Sequence, residues 1–309
     1  MRLGVHIVRF PWAREALGIP GGLRRVAQAA EAAGVHGISF MDHYFGPPGR
    51  GPTDDPMLEG YTSLGFLAAI TSDVRLRLLV TGVTYRHPGL LAKIVTTLDV
   101  LSGGRAELGL GAAWYEREHR GLGVPFPPLA ERFERLEETL RICLQMWGPG
   151  EGPFVGRHYQ LTETLCSPMP VSRPYPRLMV GGGGEHATLR LVARYADACN
   201  LPAASVMVVE HKLAVLRRHC HAERRPYDAI IKTIVYRGDL LTASRHGQFV
   251  ALMSRYAALG IEEVFVLPTG RSPEDWIDQH CAPVVPRLAA LGPDRPSFSR
   301  DHGETEGTD

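Results

Sequence analysis

Eight short apolar runs recur along the chain, and amphipathic stretches separate them. No other feature limits the possible folds as tightly. The runs are LGVHIV from Leu3, GISFM from Gly37, LRLLVTGV from Leu76, AELGLG from Ala106, RLMVGG from Arg177, ACNLPA from Ala198, AIIKTIVY from Ala229 and EEVFVL from Glu262. Several are almost continuously apolar, as strands buried on both faces are. Between them the spacing turns helical. Leu23, Val26, Ala27 and Ala30 form one stripe, and Leu91, Ile94, Val95 and Leu98 another. Phe133, Leu136, Leu140, Leu144 and Trp147 form a third, and Leu189, Val192, Ala193 and Ala196 a fourth. These stripes read as core faces of helices. Strands alternating with helices eight times over predict an α/β protein of the (β/α)8 TIM-barrel kind. The rival is a doubly wound open sheet, which shows a GxGxxG fingerprint in its first βα turn. The first turn here, RFPWAREALGIPGG, has no such spacing.

At 309 residues with 44% hydrophobic content the chain can bury a large core. The pattern predicts one barrel domain over residues 1–291. An insertion at about 148–177, rich in Gly and Pro, carries the short hairpin sequence FVGRHYQL. Residues 292–309 read as a polar, loose tail. A net charge of +1 gives no reason to expect nucleic acid or an anionic membrane as a partner. The start of the chain lacks a secretory pattern, and no apolar run is long enough to span a bilayer. The five cysteines are scattered and never spaced as CxxC, which argues against a disulfide framework or a zinc site. The simplest compartment is a reducing cytoplasm.

In such a barrel the chemistry sits where the strands end. Four stretches fall there. MDHY places Asp42 and His43 after the second run. Either the pair handles a proton, with the acid fixing the imidazole, or Asp42 caps a turn and His43 packs. His6, His87 and His119 read as structural or exposed. VTGVTYRHP interrupts a β-branched run with Gly82, a close approach to a ligand or a plain kink. GLGAAWYEREHR offers small residues that leave room for a flat ring, then Trp114 and Tyr115; its charged end, EREHR, reads as a surface helix without a chemical role. The fourth stretch, LMVGGGGEHATLR, runs four glycines, Gly181 to Gly184, into a helix. Backbone amides at the positive end of a helix favour a phosphate, and Thr188 could add a hydroxyl.

Together with PPLAERFERLEE and GRHYQL, these stretches resemble the luciferase-like monooxygenase family, and most of all its branch that uses the deazaflavin F420. The resemblance runs from about Leu3 to Leu267. It implies a (β/α)8 barrel with insertions, a homodimer, and a flavin-type ring bound at the mouth. It implies ring contacts at Thr81, Gly82 and Val83, with a non-prolyl cis peptide at Gly82–Val83. It implies further ring contacts at Gly111, Ala112 and Ala113. Gly182, Gly183 and Gly184 match the family's phosphate cradle, with Thr188 beside it, and Arg132 matches an arginine near the phosphate. His43 matches the histidine that stands near the reactive ring centre, with Asp42 to orient it. Tyr44, Trp114 and Tyr115 would line the substrate side, together with the loop from Gly46 to Pro56. One departure matters. The sugar-phosphate dehydrogenase branch carries an acid two places beyond the position of Ala112, and here that place holds Trp114.

The expected activity is hydride transfer between F420 and a small organic substrate, with no metal. The alternative is an FMN-dependent monooxygenase that activates O2, and a non-enzymatic flavin-binding protein is a third reading. A basic rim from Arg50, Arg86 and Arg117 would favour F420, whose tail is an oligoglutamate.

Overall fold

The computed structural model describes residues 1–15, 18–49, 52–242 and 244–292. The tail beyond residue 292 and Arg50 therefore lie outside the described residues.

All eight apolar runs form strands. In chain order the strands are β1 (Arg2–Ile7), β2 (Gly37–Phe40), β3 (Arg75–Leu78), β4 (Thr81–Gly82), β5 (Ala106–Gly111), β6 (Phe154–Val155), β7 (Gln160–Leu161), β8 (Arg177–Gly181), β9 (Ala198–Pro202), β10 (Ile231–Tyr236) and β11 (Ile261–Val266). The main sheet runs β3-β2-β1-β11-β10-β9-β8-β5-β4, and a further β3–β5 pairing closes it. Every pairing in it is parallel. β3 and β4 are two pieces of one stave, since both pair with β5. The result is a closed eight-stave barrel, as the alternation predicts. β6 and β7 form a separate antiparallel hairpin between the fourth and fifth staves.

The helices are α1 (Gly18–Ala32), α2 (Gly60–Ile70), α3 (Pro88–Leu101), α4 (Glu116–Leu122), α5 (Leu129–Met146), α6 (Thr188–Tyr195), α7 (Val206–Ala222), α8 (His246–Ala258), α9 (Pro273–Trp276) and α10 (Val285–Ala289). The four stripes face inward: Leu23, Val26, Ala27 and Ala30 are buried, as are Leu91, Val95, Leu136, Leu140, Leu189 and Val192. Each such Leu or Val contributes about 1.5–3 kcal/mol. His87 is neither ligand nor core. It caps α3, its Nδ1 accepting from the Gly89 N–H at 3.3 Å ahead of Pro88. α2 buries Tyr61, Leu64, Leu67 and Ala68 on one face, and it shows no polar stripe because its other face carries Gly65, Phe66 and Ala69 in place of charges.

Inside the barrel a second, small core joins Met179, Ala198, Val235 and Phe265. Beneath it lies charge. Arg77 on β3 is fully buried between Glu107 of β5, with Nε 3.0 Å from Oε2, and Glu263 of β11, with Nη2 donating to Oε1 at 3.1 Å. Arg177 reaches Glu107 at 3.2 Å, and the Arg77 guanidinium lies 4.6 Å from the centre of the Phe265 ring. Burial works against both carboxylates, but the arginines outweigh it and hold Glu107 and Glu263 below the usual range. This layer fixes the staves against one another at the end away from the mouth.

His36 closes the same end. Its Nε2 is sealed from solvent with no partner, and burial pushes its pKa down from 6.5 to about 4. A lowered folded pKa means that the unfolded chain takes the proton first. The stability this group contributes is therefore complete above pH 6.5 and lost as the pH falls toward 4. We expect His36 to account for up to about 3 kcal/mol of acid-induced loss across that window. Denaturant unfolding of the wild type and His36→Gln at stepped pH measures it. An equal slope in the two proteins refutes the assignment. His246 and His280, also lowered by burial, act with the same sign and remain in both.

Candidate active site

The strands' C-terminal ends bring together most of the residues expected at the mouth, with different partners. Asp42 and His43 leave β2 in succession, so their side chains diverge. Asp42 turns to the third stave. It accepts the Gly82 N–H at 2.9 Å and both arms of the Arg86 guanidinium, at 2.8 and 3.0 Å. Arg86 also donates to Glu59 at 2.5 Å and to the Tyr44 hydroxyl at 3.2 Å, and lies over the Tyr61 ring. Burial opposes its charge, but the Asp42 bonds raise the Arg86 pKa further still. Asp42 therefore anchors an arginine and does not orient His43. For the same reason Arg86 cannot serve a basic rim. Arg117 is exposed and donates to Thr53 Oγ1 at 3.0 Å.

The carboxylate that does hold His43 is Glu118. His43 Nδ1 lies 2.9 Å from Glu118 Oε2. Tyr85 donates its hydroxyl to the same oxygen at 2.7 Å, and Oε1 accepts the backbone N–H groups of Tyr44 and of Phe45, the latter at 2.9 Å. Glu118 is fully buried. Burial alone would raise its pKa; the bonds from His43, Tyr44, Tyr85 and Phe45 outweigh that and lower it. His119 is buried beside it, stacked on Tyr85 and bonded to Thr84 Oγ1 at 2.6 Å. The surface-helix reading of EREHR is thus wrong on one face. A signal was present: Tyr115, Glu118 and His119 stand at i, i+3 and i+4, and all three are buried.

His43 meets Trp114 and Tyr115 edge-on, with ring centroids 5.5 and 5.9 Å away. Among the described residues its Nε2 has no protein partner. Trp114 is 58% exposed and stacks on buried Tyr115. Tyr44 packs edge-on to Tyr85, and burial pushes its pKa up to about 12. A cleft of about 200 Å3 opens at the ends of β1 and β11, lined by Ile7, Val8, Arg9, Leu267 and Thr269 among others.

The cis peptide lies at Leu79–Val80, between β3 and β4, and not at Gly82–Val83. Gly82 pairs in β4 with Gly111. The glycines that matter to this bulge stand on the facing strands. A Cβ at Gly109, Gly111 or Gly181 would sit 3.1, 2.7 or 2.8 Å from the Val80 side chain. Thr81 and Val83 are sealed: the Thr81 hydroxyl pairs with Tyr61 at 2.7 Å, and the Val83 N–H bonds Gly111 O at 3.0 Å. Ala112 and Ala113 are part-exposed, and Ala113 is left-handed at φ +59°.

At the glycine run, Gly182 takes φ +124°, a conformation that disfavours any side chain. Its N–H is spent on Asn200 O at 3.0 Å, which removes it from the expected cradle. The amides of Gly183 and Gly184 donate to no carbonyl among the described residues. Thr188 packs against the turn, since a Cβ on Gly184 would meet its Oγ1 at 2.8 Å. Lys212 of α7, which sequence gave no reason to single out, flanks Gly183 and bonds Glu185 at 2.6 Å. Arg132, mostly buried, donates to the Ala112 and Ala113 carbonyls at 3.1 and 2.5 Å. Burial lowers its pKa against the pull of Glu116, and no carboxylate among the described residues forms a salt bridge with it.

The mouth of the closed parallel barrel thus carries a histidine–carboxylate pair and a glycine turn. Residues 1–257 match the model of the luciferase-like monooxygenase family, and the chain belongs to that family of enzymes. It is 32% identical over 218 residues to the F420-dependent glucose-6-phosphate dehydrogenase of Kineococcus radiotolerans, covering 70% of this chain and 63% of that one. It is 30% identical over 147 residues to the pyrimidine monooxygenase RutA of Escherichia coli, covering 46% and 37%. The chain thus spans less than two thirds of the length of these relatives. The coenzyme F420-dependent tetrahydromethanopterin reductase of Methanopyrus kandleri superposes with a TM-score of 0.73 at 17% identity, over 93% of this chain and 99% of that one. The family thus has F420-dependent members and monooxygenases. No helix among the described residues is long and apolar enough to cross a membrane.

Proposed function

We propose that the protein is an F420-dependent oxidoreductase that exchanges a hydride with a small organic substrate. The observation that carries this reading is His43 at the barrel mouth, held through Nδ1 by a buried carboxylate and, among the described residues, unpartnered at Nε2. The mouth suits a flat ring on an anionic stem. Gly109, Gly111 and Gly181 keep the space around Val80 free of side chains. Among the described residues the Gly183 and Gly184 amides donate to no carbonyl, and Arg132 forms no salt bridge with a carboxylate.

When bound, the coenzyme supplies the hydride chemistry. The protein's own contributions are position, dryness and a proton site. Gly183, Gly184 and Arg132 would hold the phosphate, with Thr188 and Lys212 closing the turn around it. Trp114 and Tyr115 present an apolar wall that orients the substrate and excludes water. His43 Nε2 gives or takes the proton at the substrate's reacting oxygen. The homodimer that the resemblance implies is part of this proposal.

Fluorescence titration of the purified protein with F420 and separately with FMN tests the reading. We expect saturable F420 binding and at least tenfold weaker FMN binding. FMN binding with none for F420 removes the deazaflavin assignment. One observation favours that other outcome. Arg86 is committed to Asp42 and Glu59 and so offers nothing to an oligoglutamate tail. The reading it supports is a flavin monooxygenase on the same barrel.

A further inference from the structure

We infer that Glu118 is a positioning residue that fixes His43 in the tautomer with its proton on Nδ1, leaving Nε2 as the lone-pair nitrogen facing the mouth. The use of that nitrogen rests on the function proposed above; the tautomer rests on geometry alone.

The argument is a count of donors. An ionised carboxylate only accepts. Oε1 of Glu118 is occupied by two backbone donors that cannot be anything else, the N–H groups of Tyr44 and Phe45. Oε2 faces Tyr85 Oη at 2.7 Å and His43 Nδ1 at 2.9 Å. Held below the ordinary carboxylate range, Glu118 is charged at neutral pH. Both groups at Oε2 must therefore donate, and the proton of a neutral His43 ring must sit on Nδ1. The other groups against the ring, Trp114 and Tyr115, meet it edge-on and do not compete for that nitrogen.

The arrangement also bears on the missing acid. Where the sugar-phosphate branch has its carboxylate, this chain has Trp114. Glu118 stands four residues on, one helical turn further. From there it is sealed from the mouth and reaches the substrate side only through His43. The proton chemistry of the site thus converges on one nitrogen, Nε2, which suits a substrate presenting a single hydroxyl or carbonyl oxygen.

Glu118→Gln gives the decisive test. The Gln carbonyl is retained by the Tyr44 and Phe45 amides, so its NH2 group replaces Oε2 and now donates toward His43. The lone pair must then lie on Nδ1 and the proton on Nε2. Long-range 1H–15N spectra of the coenzyme-free protein distinguish the two tautomers directly. We expect Nδ1–H in the wild type and in Tyr85→Phe, and Nε2–H in Glu118→Gln. With the coenzyme, turnover of Glu118→Gln should fall about 10²–10⁴-fold, the scale of a wrongly oriented imidazole, while coenzyme affinity is unchanged and Glu118→Asp recovers part of the rate. A wild-type ring carrying its proton on Nε2 overturns the inference even if Glu118→Gln fails to fold. So does a Glu118→Gln ring that keeps Nδ1–H. Failure of F420 to bind would remove the turnover readout alone and leave the spectra decisive.

Discussion

His43→Ala should lose about 10²–10⁴-fold in kcat with F420 while folding and coenzyme binding stay near wild type. The size follows from the role. A positioned acid or base contributes that much when it acts on a proton in the transition state, the role proposed for His43 Nε2, which has no protein partner among the described residues. The selectivity follows from the surroundings. His43 is part-exposed, so its removal opens no sealed cavity. Glu118, the group most at risk from the change, keeps three donors: the Tyr44 and Phe45 amides and the Tyr85 hydroxyl. One charged hydrogen bond of about 1.5–3 kcal/mol is the upper limit on lost stability. Steady-state kinetics beside thermal unfolding and a coenzyme titration separate these effects. Undiminished turnover would make His43 a packing residue between Trp114 and Glu118 and remove the proton assignment. A parallel collapse of stability would make it structural.

The barrel was legible because its signal is redundant. Strands buried on both faces read as apolar runs, helices as single stripes, and eight repeats leave few alternatives. α2 escaped because its outer face carries Gly65, Phe66 and Ala69, so apolar and small residues run through it without a period. The site was legible by position and not by pairing. The His43 ring meets those of Trp114 and Tyr115 edge-on. The partner of His43 was misassigned because neighbours along an extended chain point apart, while the true partner lies 75 residues on. Tertiary placement decides such contacts. Asp42 and Arg86 teach the same lesson from the other side: a cation read as free rim charge is consumed by an acid read as catalytic. Gly109, Gly111 and Gly181 leave room for the Val80 side chain from the facing strands, a neighbourhood that their sequence positions do not reveal.

Arg77→Met should cost about 3–5 kcal/mol, the scale of a buried ion pair broken on one side. For a chain of this size the melting temperature should drop by on the order of 10 °C. Arg77 is sealed between Glu107 and Glu263. Without it Glu107 still has Arg177 at 3.2 Å, but Glu263 loses the one salt-bridge partner it has among the described residues. The pH dependence then carries the sign. In the wild type Glu263 sits below its ordinary 4.5 because the Arg77 charge outweighs burial. Its contribution is present above pH 4.5 and lost as the pH falls toward the folded value. In the variant burial meets only the weaker pulls of His36, Arg2 and Arg177 and raises that pKa, so protonation relieves the stranded charge. The deficit should therefore narrow as the pH drops, while the wild type weakens. Adding Glu263→Leu should restore most of the loss, because a matched apolar pair costs no desolvation. Thermal unfolding of the wild type and of the single and double variants between pH 3 and 8 measures all three effects. Arg77→Met unfolding at the wild-type temperature would show the charged layer to be dispensable. Activity per folded molecule should not change in either variant, since this layer closes the end of the barrel opposite His43.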